Sequence, residues 1–197
     1  FNQAFEKFNL SWYWSKNEYK TLLEKSGGEN RLANYAKLKD IKINTLKIRN
    51  LKTKIFNNYL KKNQLKPRSG VVNIINFCKK NNLKIGFATS TSINNINSLF
   101  LALKKEVKKK DFNFIGNGKL ISRQKPHPDI YKAALKKLNL NSKECLAIED
   151  TEESMQSALN ANITCFAFPG KLHENKKFKG SLKIIKRLSK KNIFIDL

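Results

Sequence analysis

The sequence predicts an α/β protein: a parallel sheet with helices on both faces, preceded by a purely helical module. Three observations carry this expectation. After Pro67, short apolar runs (KIGFAT at 84–89, CLAIE at 145–149, ITCFAF at 163–168) alternate with longer amphipathic stretches. Buried strands that alternate with helices in this way build parallel sheets. No comparable run occurs before Pro67. Finally, 197 residues with 40% hydrophobic, 10% aromatic and 28% charged side chains supply a core for one or two domains. That composition excludes collagen-like, wholly disordered and disulfide-scaffold chains, and no apolar run reaches the ~18 residues of a membrane span.

The elements follow in chain order. FNQAFEKF sets Phe1, Ala4, Phe5 and Phe8 on one helical face. A second helix is expected over 16–25, ending at Gly27-Gly28, a pair that can serve simply as a C-cap. A third covers 29–38. A fourth covers 44–60, with Leu46, Ile48, Leu51, Ile55, Phe56 and Tyr59 as its apolar positions. Residues 1–66 thus read as one helical domain. The pattern changes at the Pro67-Arg68-Ser69-Gly70 turn, and 67–197 reads as the α/β domain. Its expected elements are a helix at 71–81, a strand at 84–89, a helix at 93–103, a basic linker at 104–110 and a strand with a turn at 112–121. A helix at 129–138, a strand at 145–149, a helix at 152–161 and a strand at 163–168 complete it.

Forty Lys and Arg against fifteen Asp and Glu give a net charge of +25. A polyanion partner such as nucleic acid would explain it; so would a bias that places Lys wherever a solvated residue is allowed. Only five of the forty are Arg, the residue suited to bidentate contacts with guanine and phosphate. Lys also travels with Asn, Ile and Phe, all read from A/T-rich codons. The bias is the better account, and neither a nucleic-acid nor a membrane partner is expected. The three cysteines, Cys78, Cys145 and Cys165, show no C-x-x-C spacing, which points to buried thiols in a reducing cytoplasm rather than to a disulfide framework or a zinc site. Residue 1 is Phe and the one methionine is Met155, so a further segment is expected upstream. FNQAFEKFNLSWYW has no basic and long apolar regions of the secretory kind.

In an open parallel sheet, ligands bind at the carboxyl ends of the strands. Thr89-Ser90-Thr91-Ser92 follows the first strand, Glu149-Asp150-Thr151 follows the third, and Lys125-Pro126-His127-Pro128 precedes the helix at 129. Thr89 can donate a hydrogen bond to a phosphoryl oxygen, helped by N–H groups at the next helix start. Lys125 can offset charge on a transferring phosphoryl group. Asp150 can ligate Mg²⁺, a hard ion that prefers oxygen and keeps several waters, and Glu149 can hold those waters. These are parts that phosphoryl transfer uses. Taken singly, each has a plainer reading. Thr89 can cap the next helix, and Asp150-Thr151 can be an N-cap with Glu153 completing a capping box. One Lys among so many says little, and the two prolines around His127 can simply stiffen a turn.

Taken together, FATSTS with Thr89, KPHPDIYKAALKKLNL with Lys125 and AIEDTEESMQSALNANI with Glu149-Asp150 resemble the second, third and fourth motifs of the haloacid dehalogenase superfamily. The K-P-x-P-D-I-Y form and the spacing of the last two motifs are similar to the beta-phosphoglucomutase-like branch and, within it, the CbbY-like sugar-phosphate phosphatases. AFEKFNLSWYW, SGGENR, LKTKIF and PRSGV extend the resemblance into the helical part. It implies a Rossmann-like core with an inserted helical cap and a Mg²⁺-dependent phosphatase acting on a small phosphorylated sugar. By the family pattern a first aspartate attacks phosphorus, a second protonates the leaving oxygen, and water hydrolyses the aspartyl-phosphate. Thr89 and Lys125 are then the phosphoryl-holding catalytic residues, and Asp150 with Glu149 the metal residues. Ser90, Gly28, Arg31 and Lys52 are expected to bind substrate, in a monomer. The family's D-x-D-G-T motif does not occur in the chain; it is expected roughly 15–20 residues upstream of Phe1, so the 197 residues by themselves are expected to be inactive. The cap motif G-G-K-x-R-x-R-H-Y is changed: Glu29 replaces its Lys and Ala33 its second Arg, while Arg31 and Tyr35 remain. That weakens the expectation of a bisphosphate. A sugar phosphomutase, a basic polyanion-binding protein and an inactive fragment are the alternatives.

Overall fold

A computed structural model describes residues 1–23 and 27–194. The chain divides into two compact units, Phe1–Asn63 and Gln64–Leu197.

The first unit is helical: α1 (Asn2–Lys7), α2 (Lys16–Leu22), α3 (Gly28–Leu38) and α4 (Thr45–Lys62). Ser15 opens α2 by accepting from the Glu18 N–H at 3.1 Å, and Asn44 opens α4 by accepting from the Lys47 N–H at 2.9 Å, each satisfying a helix-end donor. The end expected for the second helix at residues 24–25 lies outside the described residues. Gly27, at φ +88°, is the N-cap of α3, so the glycine pair leads into α3. The core is aromatic. Phe5, Trp12, Trp14 and Tyr35 are buried with Leu32 and Ile48. Trp14 meets Phe5 edge-on at 4.8 Å and Tyr35 at 5.2 Å, a favoured ring geometry. The Asn2 side chain fixes the approach by bonding both the N–H and the C=O of Trp14, at 2.9 and 3.0 Å.

The second unit alternates helix and strand: α5 (Val71–Lys80), β1 (Gly86–Phe87), α6 (Ile93–Leu103), β2 (Phe114–Ile115), α7 (Asp129–Leu138), β3 (Leu146–Glu149), α8 (Glu152–Leu159), β4 (Thr164–Ala167), β5 (Lys183–Ile184) and α9 (Lys190–Phe194). Every strand pair is parallel. Among the described residues the strands form two sheets, β1-β2 and β3-β4-β5. β1 is shorter than the apolar run predicts. Its ladder with β2 gives way at Ile85, whose N–H bonds the Asn113 side chain at 2.8 Å. β5 and α9 add elements beyond those the sequence predicts.

Strand alternation sorts the core. Cys165 and Ala167 of β4 pack with Ala147, Met155 and Ala158 beside α7 and α8, whereas Phe166 and Phe168 pack with Ile74, Ile185, Leu188 and Ile193. Ala88, just past β1, packs on the first of these clusters, together with Ile130 and Tyr131. The end of β1, the start of α7 and β3 therefore share one buried layer.

Candidate functional site

The strand ends of the second unit carry the candidates, and local structure frees them for chemistry. Thr89 does not cap α6: Ser92 does, accepting from the Asn95 N–H at 3.3 Å. Thr89 Oγ1 accepts from the Thr91 N–H at 3.3 Å, which leaves its own hydroxyl proton to donate. Likewise Thr151, not Asp150, caps α8, by accepting from the Ser154 N–H at 3.2 Å. The alternative reading of a capping box from Asp150 to Glu153 does not hold, because Thr151 is the cap and position N3 is Ser154. Asp150 is exposed at the end of β3 and makes no hydrogen bond among the described residues.

Gly116 ties Thr89 to α7. A Cβ at Gly116 would fall 2.5 Å from Ile130 Cδ1 and 3.1 Å from the Thr89 carbonyl, so the close approach needs glycine. Ser90 is partly buried against the same turn, its carbonyl 2.8 Å from where a Gly118 Cβ would lie.

Lys125 is held from two sides. Its Nζ donates to Glu149 Oε1 at 2.8 Å, and each side chain is only 12% exposed. Below it, α8 grips the loop: Ser157 Oγ donates to the His127 carbonyl at 2.6 Å and the Asn160 amide to the Pro126 carbonyl at 3.0 Å. The turn between the prolines is thus an anchored loop that presents the ammonium. Asp129 steadies its far end, accepting from the Arg123 N–H at 3.0 Å and its guanidinium at 2.8 Å.

Two further residues complete the site. The buried Tyr131 hydroxyl donates to Glu149 Oε1, the oxygen that Lys125 also uses. Burial first, then the adjacent Glu149 charge, push the Tyr131 phenol well above its ordinary range, so it remains a neutral donor. Burial, with Glu149 nearby, likewise pushes the Cys165 thiol up to about 12, which keeps it a core residue rather than a nucleophile. Arg68 lies over the Phe168 ring at 3.4 Å and donates to the Phe168 and Pro169 carbonyls at 2.6 and 2.7 Å. It pins the loop after β4 while its charge faces the field of Asp150. The Tyr of the K-P-H-P-D-I-Y run and the Arg of P-R-S-G carried the signal for both.

The donor set suits Mg²⁺. Asp150 offers a carboxylate without a hydrogen-bond partner and Glu149 an Oε2 without one among the described residues. Among the described residues no group of three or more His, Cys, Asp or Glu is gathered. One or two carboxylates completed by water and phosphate oxygens is how Mg²⁺ is usually held, in contrast to a closed all-protein cage.

Gly28, Arg31 and Lys52 lie in the helical unit. Gly28 is the first residue of α3, and a Cβ there would make only an ordinary 3.6 Å contact with Phe1. Arg31 is buried, its Nε donating to the Leu22 carbonyl at 2.7 Å and its guanidinium 5.6 Å from the Tyr19 ring centre. It fastens α3 to the end of α2. Lys52 lies over the rings of Phe1 and Phe56, each at 5.2 Å. Burial first, then the Arg31 and Arg49 charges, hold its ammonium below the ordinary lysine range. With the folded value lowered, protonated Lys52 weakens the fold below that value, and stability recovers as pH rises from it toward the unfolded value. Lys52→Met is accordingly expected to raise the thermal midpoint at pH 7 by a few degrees. The gain should fade in titrations toward pH 10; a lowered midpoint would contradict it. Glu29, the residue in place of the motif's Lys, pairs with Arg49 at 3.3 Å.

A parallel α/β unit with a hydroxyl, an ammonium and a carboxylate pair at its strand ends carries the parts that phosphoryl-transfer enzymes use. The sequence profile described as haloacid dehalogenase-like hydrolase matches residues 1–168, and the chain belongs to that family, as an enzyme of its CbbY-like phosphatase branch. It is 27% identical to the protein CbbY of Cereibacter sphaeroides over 94% of this chain and 82% of that one. Against CbbY of Rhodobacter capsulatus the identity is 30%, over 92% and 81%. The crystal structure of CbbY from Rhodobacter sphaeroides in complex with phosphate superposes with a TM-score of 0.83 at 27% identity, covering 94% of this chain and 84% of that one. A mutant of the same protein, solved with xylulose-1,5-bisphosphate, matches equally well. A beta-phosphoglucomutase from Clostridium difficile shares the fold, with a TM-score of 0.73 at 20% identity over 99% of this chain and 86% of that one. No helix of the described residues is long and apolar enough to cross a membrane.

Proposed function

We propose that this chain works as a Mg²⁺-dependent phosphatase on a small phosphorylated sugar, through an aspartyl-phosphate intermediate, with residues 1–66 as cap and 67–197 as core. The observation that carries this reading is the Lys125 ammonium held 2.8 Å from Glu149, next in sequence to the exposed Asp150 carboxylate. The phosphate and xylulose-1,5-bisphosphate bound by the similar CbbY support the substrate class. Thr89 donates its hydroxyl proton to a phosphoryl oxygen, and Lys125 offsets the charge on the group in transfer. Asp150 and Glu149 would hold Mg²⁺, which when bound screens phosphoryl charge from the attacking carboxylate. That carboxylate is assigned to a D-x-D-G-T segment, a pattern these 197 residues do not contain. Gly28, Arg31, Lys52 and Ser90 are assigned to the substrate.

Isothermal titration of the 197-residue chain with inorganic phosphate, with and without Mg²⁺, tests the part played by these residues. Phosphate should bind more tightly with Mg²⁺ present, and Asp150→Asn should remove that enhancement while Thr89→Ala weakens binding about tenfold. Equal affinity with and without the metal would sink the reading. In a chain extended upstream by a D-x-D-G-T strand, a panel of sugar phosphates should release phosphate; an isomerised sugar with little release would indicate a mutase instead.

A further inference from the structure

One oxygen of the site has two donors. Lys125 Nζ and the Tyr131 hydroxyl both bond Glu149 Oε1, while Glu149 Oε2 has no partner among the described residues. Tyr131 also lies under the ammonium, its ring centre 5.3 Å from Nζ. A buried carboxylate needs donors in proportion to its desolvation. With Lys125 as its only donor, Glu149 would draw the ammonium fully to itself and compete with any incoming anion. A neutral phenol on the same oxygen takes part of that demand without adding charge.

We propose that Tyr131 is a positioning residue: by sharing Glu149 Oε1 with Lys125, it keeps the Lys125 ammonium available to a phosphoryl group. The inference rests on the phosphate-holding role of Lys125 proposed above. Tyr131 is assigned no contact of its own with phosphate or metal; it acts through Glu149. Its fixed place follows from its position on α7, buried in the layer that also holds Ala147 of β3 and Cys165 of β4.

Titration of inorganic phosphate into the 197-residue chain in the presence of Mg²⁺ tests this, with Mg²⁺ affinity measured separately. Tyr131→Phe keeps the ring and removes only the shared donor. Its phosphate Kd should rise about tenfold while its Mg²⁺ Kd stays within twofold of the wild-type value. A merely structural role would move both together. Glu149→Gln provides the second measurement, because it removes the carboxylate charge that competes with phosphate for the Lys125 ammonium. Adding Tyr131→Phe to Glu149→Gln should cost phosphate affinity no further, and this holds even if Tyr131→Phe alone lowers the thermal midpoint. Phosphate affinity unchanged in Tyr131→Phe but lost in Lys125→Met would overturn the role of Tyr131 and leave the phosphatase reading standing. Phosphate affinity indifferent to Lys125 would overturn both.

Discussion

Lys125→Met should cut Mg²⁺-dependent phosphate affinity about a hundredfold and also destabilise the second unit by about 2–3 kcal/mol at neutral pH. The two effects have separate causes. The first is loss of a cation placed for a phosphoryl oxygen. The second arises because Glu149, its side chain 12% exposed, retains Tyr131 as its one donor among the described residues. Removing one member of a largely buried ion pair costs more than the pair contributes, since the remaining charge is still desolvated. The double variant Lys125→Met with Glu149→Gln should therefore regain most of the stability and none of the phosphate affinity. Urea unfolding of the single and double variants checks the first claim, and phosphate titration the second. If the double variant stays as unstable as the single one, the lysine stem and its contact with the Tyr131 ring, rather than the ion pair, hold the loop.

Much of this site was legible in the sequence because strand ends are local signals. The apolar runs end at Thr89 and Glu149, and the chemistry follows at once. The boundaries of α6 and α7 were legible for the same reason. The Ser/Thr run offers capping oxygens at one start, and Asn139, which the structure places in the left-handed region at φ +51°, ends α7. Which hydroxyl does which task was not legible. Thr89, Ser90, Thr91 and Ser92 are equivalent as text, and only the Ser92 hydrogen bond shows which one is the cap. The same holds for Asp150 and Thr151.

Contacts distant along the chain were harder still. Tyr131 reaches Glu149 across 18 residues and Arg68 reaches Phe168 across 100, and no periodicity announces either. The same holds in the helical unit, where the Arg31 Nε bonds the Leu22 carbonyl, a contact its motif does not announce. β5 eluded the pattern because both of its residues, Lys183 and Ile184, are exposed. A short edge strand of this kind carries neither a continuous apolar run nor alternation. The charge of +25, the loudest compositional signal, bears on the site through few side chains. Among the described residues Lys125 forms the ion pair at the strand ends, and many of the others are exposed on helix surfaces and in loops.

Gly70→Ala should be among the most damaging single-methyl additions in the chain. Gly70 is the N-cap of α5 at φ +89°, where an alanine costs about 1–2 kcal/mol for its backbone conformation alone. Its Cβ would then fall 1.8 Å from the Leu188 carbonyl oxygen and 2.7 Å from the carbonyl carbon. These are backbone atoms and cannot rotate aside. Leu188 is itself buried with Phe166, Phe168, Ile185 and Ile193, so relief requires the segment around it to lift off the β4 core. A total loss of at least ~3 kcal/mol is expected, from conformational strain together with disturbed core packing. The damage should extend to the site, because the turn that Gly70 closes also carries Arg68, whose guanidinium holds the Phe168 and Pro169 carbonyls. Gly28→Ala is the matched control. It lies inside α3, meets only Phe1 at 3.6 Å, and should change stability by less than ~1 kcal/mol, in the stabilising direction if at all. Thermal unfolding of the two variants separates the cases. A Gly70→Ala midpoint close to that of Gly28→Ala would mean that the 187–190 segment does not pack against the start of α5.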